Sequence, residues 1–168
     1  MLTPIYPIHD LCQNRFAIMP HPKGGADLSE NLAAIKARGY NVVVSLLTHQ
    51  EQMELGLTEE AAICQRMGIV FAHYAIQDEL PASEEHTYDF IDQLKTLYQQ
   101  HKTLLFHCRG GVGRSSMILS LFVSTLGISA EETFRLISIS RGEVVPESER
   151  QRQYVIRLAS NLQKEGVG

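Results

Sequence analysis

Residues 103–115 read TLLFHCRGGVGRS, and in this stretch an apolar run gives way to a glycine-rich loop. The apolar part predicts a strand that is buried on both faces, and the residues from Arg114 to about Leu126 predict an apolar helix. Because three of the four positions 110–113 are glycine, successive N–H groups can turn to one side and form a nest for an anion. The positive end of the helix dipole adds to that attraction, so the stretch predicts a phosphate-binding loop.

Strands and helices alternate on both sides of this loop. Further strands are predicted at Val42–Leu47, at Ile69–Ala72 and, as a short edge strand, at Phe16–Met19. Helices are predicted to begin near Leu28, Thr58, Ser83, Ser129 and Glu147. The alternation predicts an α/β fold with a central, mostly parallel sheet flanked by helices, in which ligands bind at the carboxyl ends of strands. The length predicts one domain over residues 1–168.

The composition is that of a globular protein, with 44% hydrophobic and 20% charged residues. The three cysteines are widely spaced and form no C-x-x-C pair, which argues against a zinc site or a disulfide framework and suits a reducing compartment. No signal peptide is visible at the N-terminus, and the longest apolar stretch is too short to span a bilayer. We therefore expect a cytoplasmic protein that needs no metal or other cofactor and does not bind a membrane.

Charge is unevenly distributed along the chain. The net charge is −4, but residues 1–102 carry 7 basic and 13 acidic side chains, whereas residues 103–168 carry 8 and 6. An acidic protein of this kind is not expected to bind nucleic acid non-specifically. An anion-binding site is expected in the last third, where the balance is positive.

Cys108 stands at the entrance of the loop, where a thiol ionises more readily than in water because a helix N-terminus and a guanidinium are near. Arg114 offers a planar fork that can hold two phosphate oxygens, and Ser115 can donate a hydrogen bond to the thiolate. The loop positions expected to contact phosphate are Arg109, Gly110, Gly111, Val112, Gly113 and Arg114. Arg109 either favours acidic flanks on a substrate or points to solvent, leaving only its amide for phosphate. A structural cysteine beside a tight turn is the alternative, but the combined His, Cys, Gly, Arg and Ser pattern argues against it.

The pattern His-Cys-x-x-Gly-x-x-Arg-Ser resembles the signature loop of the protein-tyrosine and dual-specificity phosphatases. Over roughly residues 15–160, expected to form the core, the chain is similar to the small branch around the cyclin-dependent kinase inhibitor 3 phosphatase. The similarity includes the Val42–Leu47 strand, the entry to the next strand at Gly68-Ile69, and Arg141-Gly142. It implies an enzyme that hydrolyses phosphotyrosine, and in some members phosphoserine or phosphothreonine, through a phosphocysteine intermediate.

The resemblance also implies roles for residues outside the loop. In the family an Asp on a loop after a strand, followed soon by Pro, is the general acid, and Asp78 matches best, with Glu79 as its competitor. His107 is expected to hold the loop and tune the thiolate. Gln151 or Glu147 is expected either to position the hydrolytic water or to serve only as a helix-capping or solvated residue.

Several functions remain open at this point. The phosphate ester is either on a protein or peptide, as the main interpretation has it, or on a phosphoinositide, an inositol phosphate or another small molecule. A phosphate-reading module without turnover would be expected to lack the Cys, Arg or Asp, and a sulfur- or arsenate-handling enzyme would lack the Gly-rich loop and Asp78. We expect a monomeric phosphatase with Cys108, Asp78, Arg114 and Ser115 as its catalytic residues.

Overall fold

The computed structural model of the protein describes residues 2–77 and 79–167, with side chains through Leu162. Five strands form one sheet in the order β1-β2-β5-β3-β4. Their bounds are Tyr6–Pro7, Phe16–Met19, Val42–Ser45, Val70–His73 and Leu104–His107 for β1 to β5. All neighbours are parallel except β1, which pairs antiparallel with β2. The central strand β5 therefore delivers residue 108 to the carboxyl edge of the sheet, where α/β proteins bind ligands.

Seven α-helices surround the sheet in the described part of the chain. They are α1 Leu28–Ala37, α2 His49–Glu54, α3 Glu60–Met67, α4 Glu84–Gln99, α5 Arg114–Ser124, α6 Ala130–Arg141 and α7 Glu149–Val167. The helix starts follow capping chemistry, because the side chains of Ser83 and Ser129 accept hydrogen bonds from the N–H groups of His86 and Glu132. Helices α3 and α6 end where a glycine, Gly68 or Gly142, takes the left-handed conformation.

The sheet is buried on both faces, because successive strand residues enter opposite layers of the core. On one face Val43 and Leu105 pack with α1 and α3. On the other face Val44 and Phe106 pack with α4 to α7. Helix α5 lies inside that second layer, and all of its apolar residues are buried. The predicted α/β fold with a central, mostly parallel sheet flanked by helices is confirmed, and the loop after β5 is fixed to a rigid strand and a buried helix.

The structure corrects two predictions. Phe16–Met19 is not an edge strand, because the Tyr6–Pro7 strand pairs along its outer side and all four of its residues are buried. Helix α2 was not predicted, because its sequence HQEQME carries no apolar stripe. Its signal is a capping box, in which Thr48 and Glu51 bond to each other's backbone N–H. Across residues 2–77 and 79–167, no helix combines the length and apolar character that a bilayer crossing requires.

Candidate active site

The loop between β5 and α5 has its carbonyl groups turned outward. The carbonyl of Arg109 accepts from the N–H of His21 at 3.2 Å. Arg141 of α6 donates from Nη2 to the carbonyl of Gly110 at 3.1 Å and from Nε to that of Gly111 at 3.2 Å. Ser116 of α5 donates to the carbonyls of residues 112 and 113. Every carbonyl of residues 109–113 is thus bonded to the surrounding scaffold.

The N–H groups of the same residues show the opposite pattern. Among the described residues, none accepts a hydrogen bond from the backbone N–H of residues 109–113. A row of N–H groups without protein partners at a helix start is an anion-binding arrangement. The loop therefore has the geometry of the phosphate nest that its glycines predict.

Gly111 shows why glycine is required in this loop. Its φ of +71° lies in the left-handed region, and a Cβ at this position would stand 2.5 Å from the carbonyl carbon and oxygen of Met19. The loop thus lies directly against the end of β2. Gly110 differs, because a Cβ there would meet no atom within 4 Å.

Cys108 lies at the bottom of a cavity of about 600 Å³ above the loop. Its exposed fraction is 3%, so the thiol is buried at the base of the pocket. The pocket is lined by loop residues, by Arg114 and by Glu79, Glu147, Ser148 and Gln151. A group that enters the pocket therefore meets the sulfur and the loop N–H groups together.

Arg114 is held in place by a carboxylate that sequence reasoning missed. Its Nη1 donates to Oε1 of Glu51 at 2.7 Å and to the carbonyl of Ile76 at 2.8 Å, and its Nη2 donates to Oε2 of Glu51 at 2.9 Å. Of the five guanidinium N–H bonds, the Nε–H and one Nη2–H have no partner among the described residues. These two form one side of the planar group, which stays available for a bidentate contact with an oxyanion.

The Arg114–Glu51 pair shifts the titration of both groups. The hydrogen bonds from Arg114 lower the pKa of Glu51 to about 2, against the opposing effect of burial. Burial alone lowers the pKa of Arg114, but the hydrogen bond to Glu51 and the negative charges of Cys108, Glu51 and Glu147 together raise it. Glu51 is thus ionised, and Arg114 is charged, at neutral pH.

Arg109 lies on the rim and points toward α2. Its Nη1 is 3.7 Å from Oε2 of Glu51 and 3.6 Å from Oε2 of Glu54, and its side chain is 54% exposed. Both sequence-based alternatives for this side chain, a contact with acidic flanks of a substrate or a position in solvent, stay predictions. The guanidinium is partly neutralised by two acids of α2, which reduces what it can offer a substrate.

The predicted general acid, Asp78, lies outside the described residues. Its competitor Glu79 is described, and its carboxylate accepts hydrogen bonds from Ser148 and, at 3.0 Å, from Arg150. Gln151 is 2% exposed and bridges two segments, because its Nε2 donates to the carbonyl of Glu79 and its Oε1 accepts from the N–H of Glu147. The residues at the start of α7 therefore hold Glu79 against the pocket.

Two further residues singled out from the sequence are buried. His107 is fully buried and its Nε2 lies 2.8 Å from Oε2 of Glu60, a contact that the sequence did not suggest. Ser115 is fully buried as well, and its hydroxyl makes no hydrogen bond to any described residue, Cys108 included. Ser115 therefore has a free donor at the start of α5.

Comparison with known proteins identifies the family to which this site belongs. The family model described as "Tc-R-P: Polymorphic toxin system, DSP-PTPase phosphatase" matches residues 17–127, about two thirds of the chain. The chain is a member of the dual-specificity phosphatase family. The resemblance noted in the loop from His107 to Ser115 is confirmed by this match.

Curated relatives and solved structures agree with the membership. Cyclin-dependent kinase inhibitor 3 of Rattus norvegicus is 22% identical over 138 residues, and that of Homo sapiens is 21% identical over 138 residues. Each alignment covers 81% of this chain and 65% of the relative, so the chain spans about two thirds of the length of these proteins. The fold of the kinase associated phosphatase, solved with its catalytic cysteine replaced by serine, matches with a TM-score of 0.85 at 18% identity and 97% coverage of both chains. PTPMT1 matches with a TM-score of 0.75 at 14% identity, covering 98% of this chain and 99% of its own.

The pH dependence of stability tests the Arg114–Glu51 pair. A carboxyl whose pKa is lowered in the folded state stabilises the protein above its unfolded value, about 4.3, and this stabilisation is lost as the pH falls toward 2. In urea unfolding, we expect Glu51→Gln to be less stable than the wild type by about 1 kcal/mol at pH 6. The difference should shrink steadily between pH 4.5 and 2.5. A difference that stays constant over that interval would contradict the assignment.

Gly110 and Gly111 form a matched pair for testing the loop geometry. Gly111→Ala should lose about 1–3 kcal/mol of stability, because it places a side chain in a left-handed, filled position. It should also slow hydrolysis of an aryl phosphate at least about tenfold, since shifting the loop misplaces its N–H groups. Gly110→Ala should stay within about 0.5 kcal/mol of wild type. Thermal unfolding and initial rates measure both, and equal effects at the two positions would show that the loop is not constrained as described.

Proposed function

We propose that the protein is a cysteine-dependent phosphatase whose preferred substrates are phosphotyrosine-containing proteins or peptides. The single observation that supports this most is the row of unbonded N–H groups of residues 109–113 around a buried Cys108. An anion nest explains phosphate binding, and a thiol at its base explains covalent attack. We further propose that residues 15–160 form the core of a phosphatase domain and that it acts as a monomer.

The first step is attack by the Cys108 thiolate on phosphorus, with cleavage of the bond to the leaving oxygen. The loop N–H groups and the free side of Arg114 face the three peripheral oxygens, whose charge they stabilise in the transition state. Because Glu51 and the carbonyl of Ile76 already fix the guanidinium, little ordering is needed when the substrate binds. The Ser115 hydroxyl has no hydrogen-bond partner among the described residues, and we propose that it turns to the sulfur when the thiolate forms and makes it a better leaving group in the second step.

The leaving oxygen needs a proton, which we assign to the carboxyl of Asp78. Glu79 is less suited to the task, because its carboxylate is already engaged by Ser148 and Arg150. Glu79, the next residue along the chain, lines the pocket, which supports the assignment. In the second step a carboxylate at Asp78 removes a proton from water, and the water oxygen displaces the Cys108 sulfur from phosphorus.

The charges of the pocket favour a substrate with one phosphate group. Arg109 and Arg114 are the two cations among the described pocket residues, and both pair with Glu51. Glu79 and Glu147 add two carboxylates to the pocket lining. An inositol ring with several phosphates would place further negative charge near those acids without cations to receive it. A phosphotyrosine brings a single dianion on a neutral ring.

A phosphoinositide phosphatase is the second candidate. PTPMT1, which shares the fold at 14% identity, has been solved in complex with PI(5)P. Such a lipid carries a single ring monoester that would fit one anion nest. The substrate comparison below distinguishes the two candidates.

Aryl-phosphate hydrolysis in the presence of EDTA tests the chemistry. We expect turnover by the wild type, loss of at least about 1,000-fold with Cys108→Ser, and loss of about 100-fold or more with Asp78→Asn at the pH optimum. Glu79→Gln is the matched control for the acid, and its rate should fall less than about tenfold. Full activity of Cys108→Ser would falsify the mechanism, and a larger loss with Glu79→Gln than with Asp78→Asn would move the acid to Glu79.

A comparison of kcat/KM tests the substrate class. A phosphotyrosine peptide should be hydrolysed at least about tenfold more efficiently than dispersed PI(5)P or an inositol polyphosphate. Glu147→Gln removes a negative charge from the pocket. It should raise kcat/KM for the inositol polyphosphate by about three- to tenfold relative to kcat/KM for the peptide. If the wild type prefers PI(5)P, the substrate is a lipid and the proposed protein substrate is wrong.

A further inference from the structure

Glu60 is a fully buried acid that the mechanism above does not use. It is the first residue of α3, and its carboxylate lies behind the phosphate loop, outside the pocket. Its Oε2 is 2.8 Å from Nε2 of His107, and both side chains have an exposed fraction of 0%. Its Oε1 has no hydrogen-bond partner among the described residues. Burying a carboxylate costs free energy of folding. The contact between Glu60 and His107, the residue before the nucleophile, therefore indicates a functional role for Glu60.

The two ring nitrogens of His107 both face oxygen atoms. Nε2 faces Glu60, and Nδ1 faces the carbonyl of Cys108 at 3.5 Å. A carbonyl oxygen only accepts, so a contact with it needs a proton on Nδ1. The other contact joins Nε2 to a carboxylate oxygen, which accepts a second ring proton when Glu60 is ionised. With an ionised Glu60, these two contacts correspond to a doubly protonated, positively charged imidazole at His107.

The order of charges in this pair matters for the nucleophile. His107 is bonded to Cys108 through the chain, whereas Glu60 contacts the far nitrogen, so the positive end of the pair is nearer the sulfur. An Nδ1–H that points to the Cys108 carbonyl also turns that carbonyl away from the nest. Both effects favour the thiolate and the inward direction of the following N–H groups.

We propose that Glu60 is a positioning residue that keeps His107 doubly protonated directly behind Cys108. The proposal rests on the proposed function, since it assigns a role in preparing the thiolate for attack on phosphate. The proposal also gives a reason why Glu60 is buried at the start of α3, whereas its neighbour Glu59 is exposed to solvent.

The other titratable groups around the pair do not supply this charge. Cys64, one turn along α3, is fully buried, and burial followed by the charge of Glu60 raises its pKa to about 12, so it stays neutral. Ser45 and Met19, the strand neighbours of His107, carry no charge. Among the described residues, the charged groups that line the pocket with Cys108 are Arg109, Arg114, Glu79 and Glu147, and they remain unchanged in the variants used below.

The direct test uses the wild-type protein labelled with ¹⁵N-histidine. Long-range ¹H–¹⁵N spectra distinguish a doubly protonated ring from either neutral form. We expect His107 to show two protonated nitrogens from pH 5 to pH 8, while exposed histidines lose a proton in that range. A neutral ring at pH 7 overturns the proposal, whatever the behaviour of any variant.

The second test measures the effect on the nucleophile. The rate of Cys108 alkylation by iodoacetate, followed by peptide mass spectrometry, is measured against pH for the wild type, Glu60→Gln and the matched control Glu59→Gln. Glutamine keeps the size and a hydrogen bond but removes the charge that retains the second proton. We expect the midpoint of the alkylation profile to rise by about one pH unit in Glu60→Gln and to stay unchanged in Glu59→Gln.

A merely structural role for Glu60 would lower thermal stability but leave the alkylation midpoint in place, and that result overturns the proposal. Neither measurement needs turnover. A protein that shows the expected spectra and alkylation shift but hydrolyses no phosphate ester would refute the proposed function and leave the His107 assignment intact.

Discussion

The site depends on five peptide carbonyls that are turned outward and bonded. When the carbonyl groups of residues 109–113 contact His21, Arg141 and α5, the planar peptides place their N–H groups on the opposite side. Contacts on the outer side of the loop therefore produce the nest. Gly111 allows the backbone to approach β2 closely enough for those contacts to form.

Acidic side chains organise the cations of the site. Glu51 caps α2 and also binds Arg114 through both oxygens, so one carboxylate joins a helix start to the guanidinium. Glu60 does the same on the other side of the sheet edge, where it joins α3 to His107. These carboxylates hold side chains around the nest, whose N–H groups have no partner among the described residues and stay available to an incoming dianion.

The sequence was sufficient to predict the strand, loop and helix around Cys108, because an apolar run, glycines and a single cysteine are local signals. The residues that fix this unit are distant, and no local pattern points to them. Glu51 lies 63 positions before Arg114, and Arg141 lies 30 after Gly111. The sequence signal for helix α2 was only a capping box. The strand Phe16–Met19 lies inside the sheet because the two-residue strand Tyr6–Pro7 pairs with its outer side.

The bridge made by Gln151 connects one wall of the pocket to the last helix. The carbonyls of Gly110 and Gly111 at the back of the nest are bonded by Arg141 of α6. Glu79 is bonded by Ser148, Arg150 and Gln151, at the beginning of α7. The apolar face of α7 packs in the core through Tyr154, Val155 and Leu158, so a change that shifts this helix alters the shape of the pocket together with the packing of the interior.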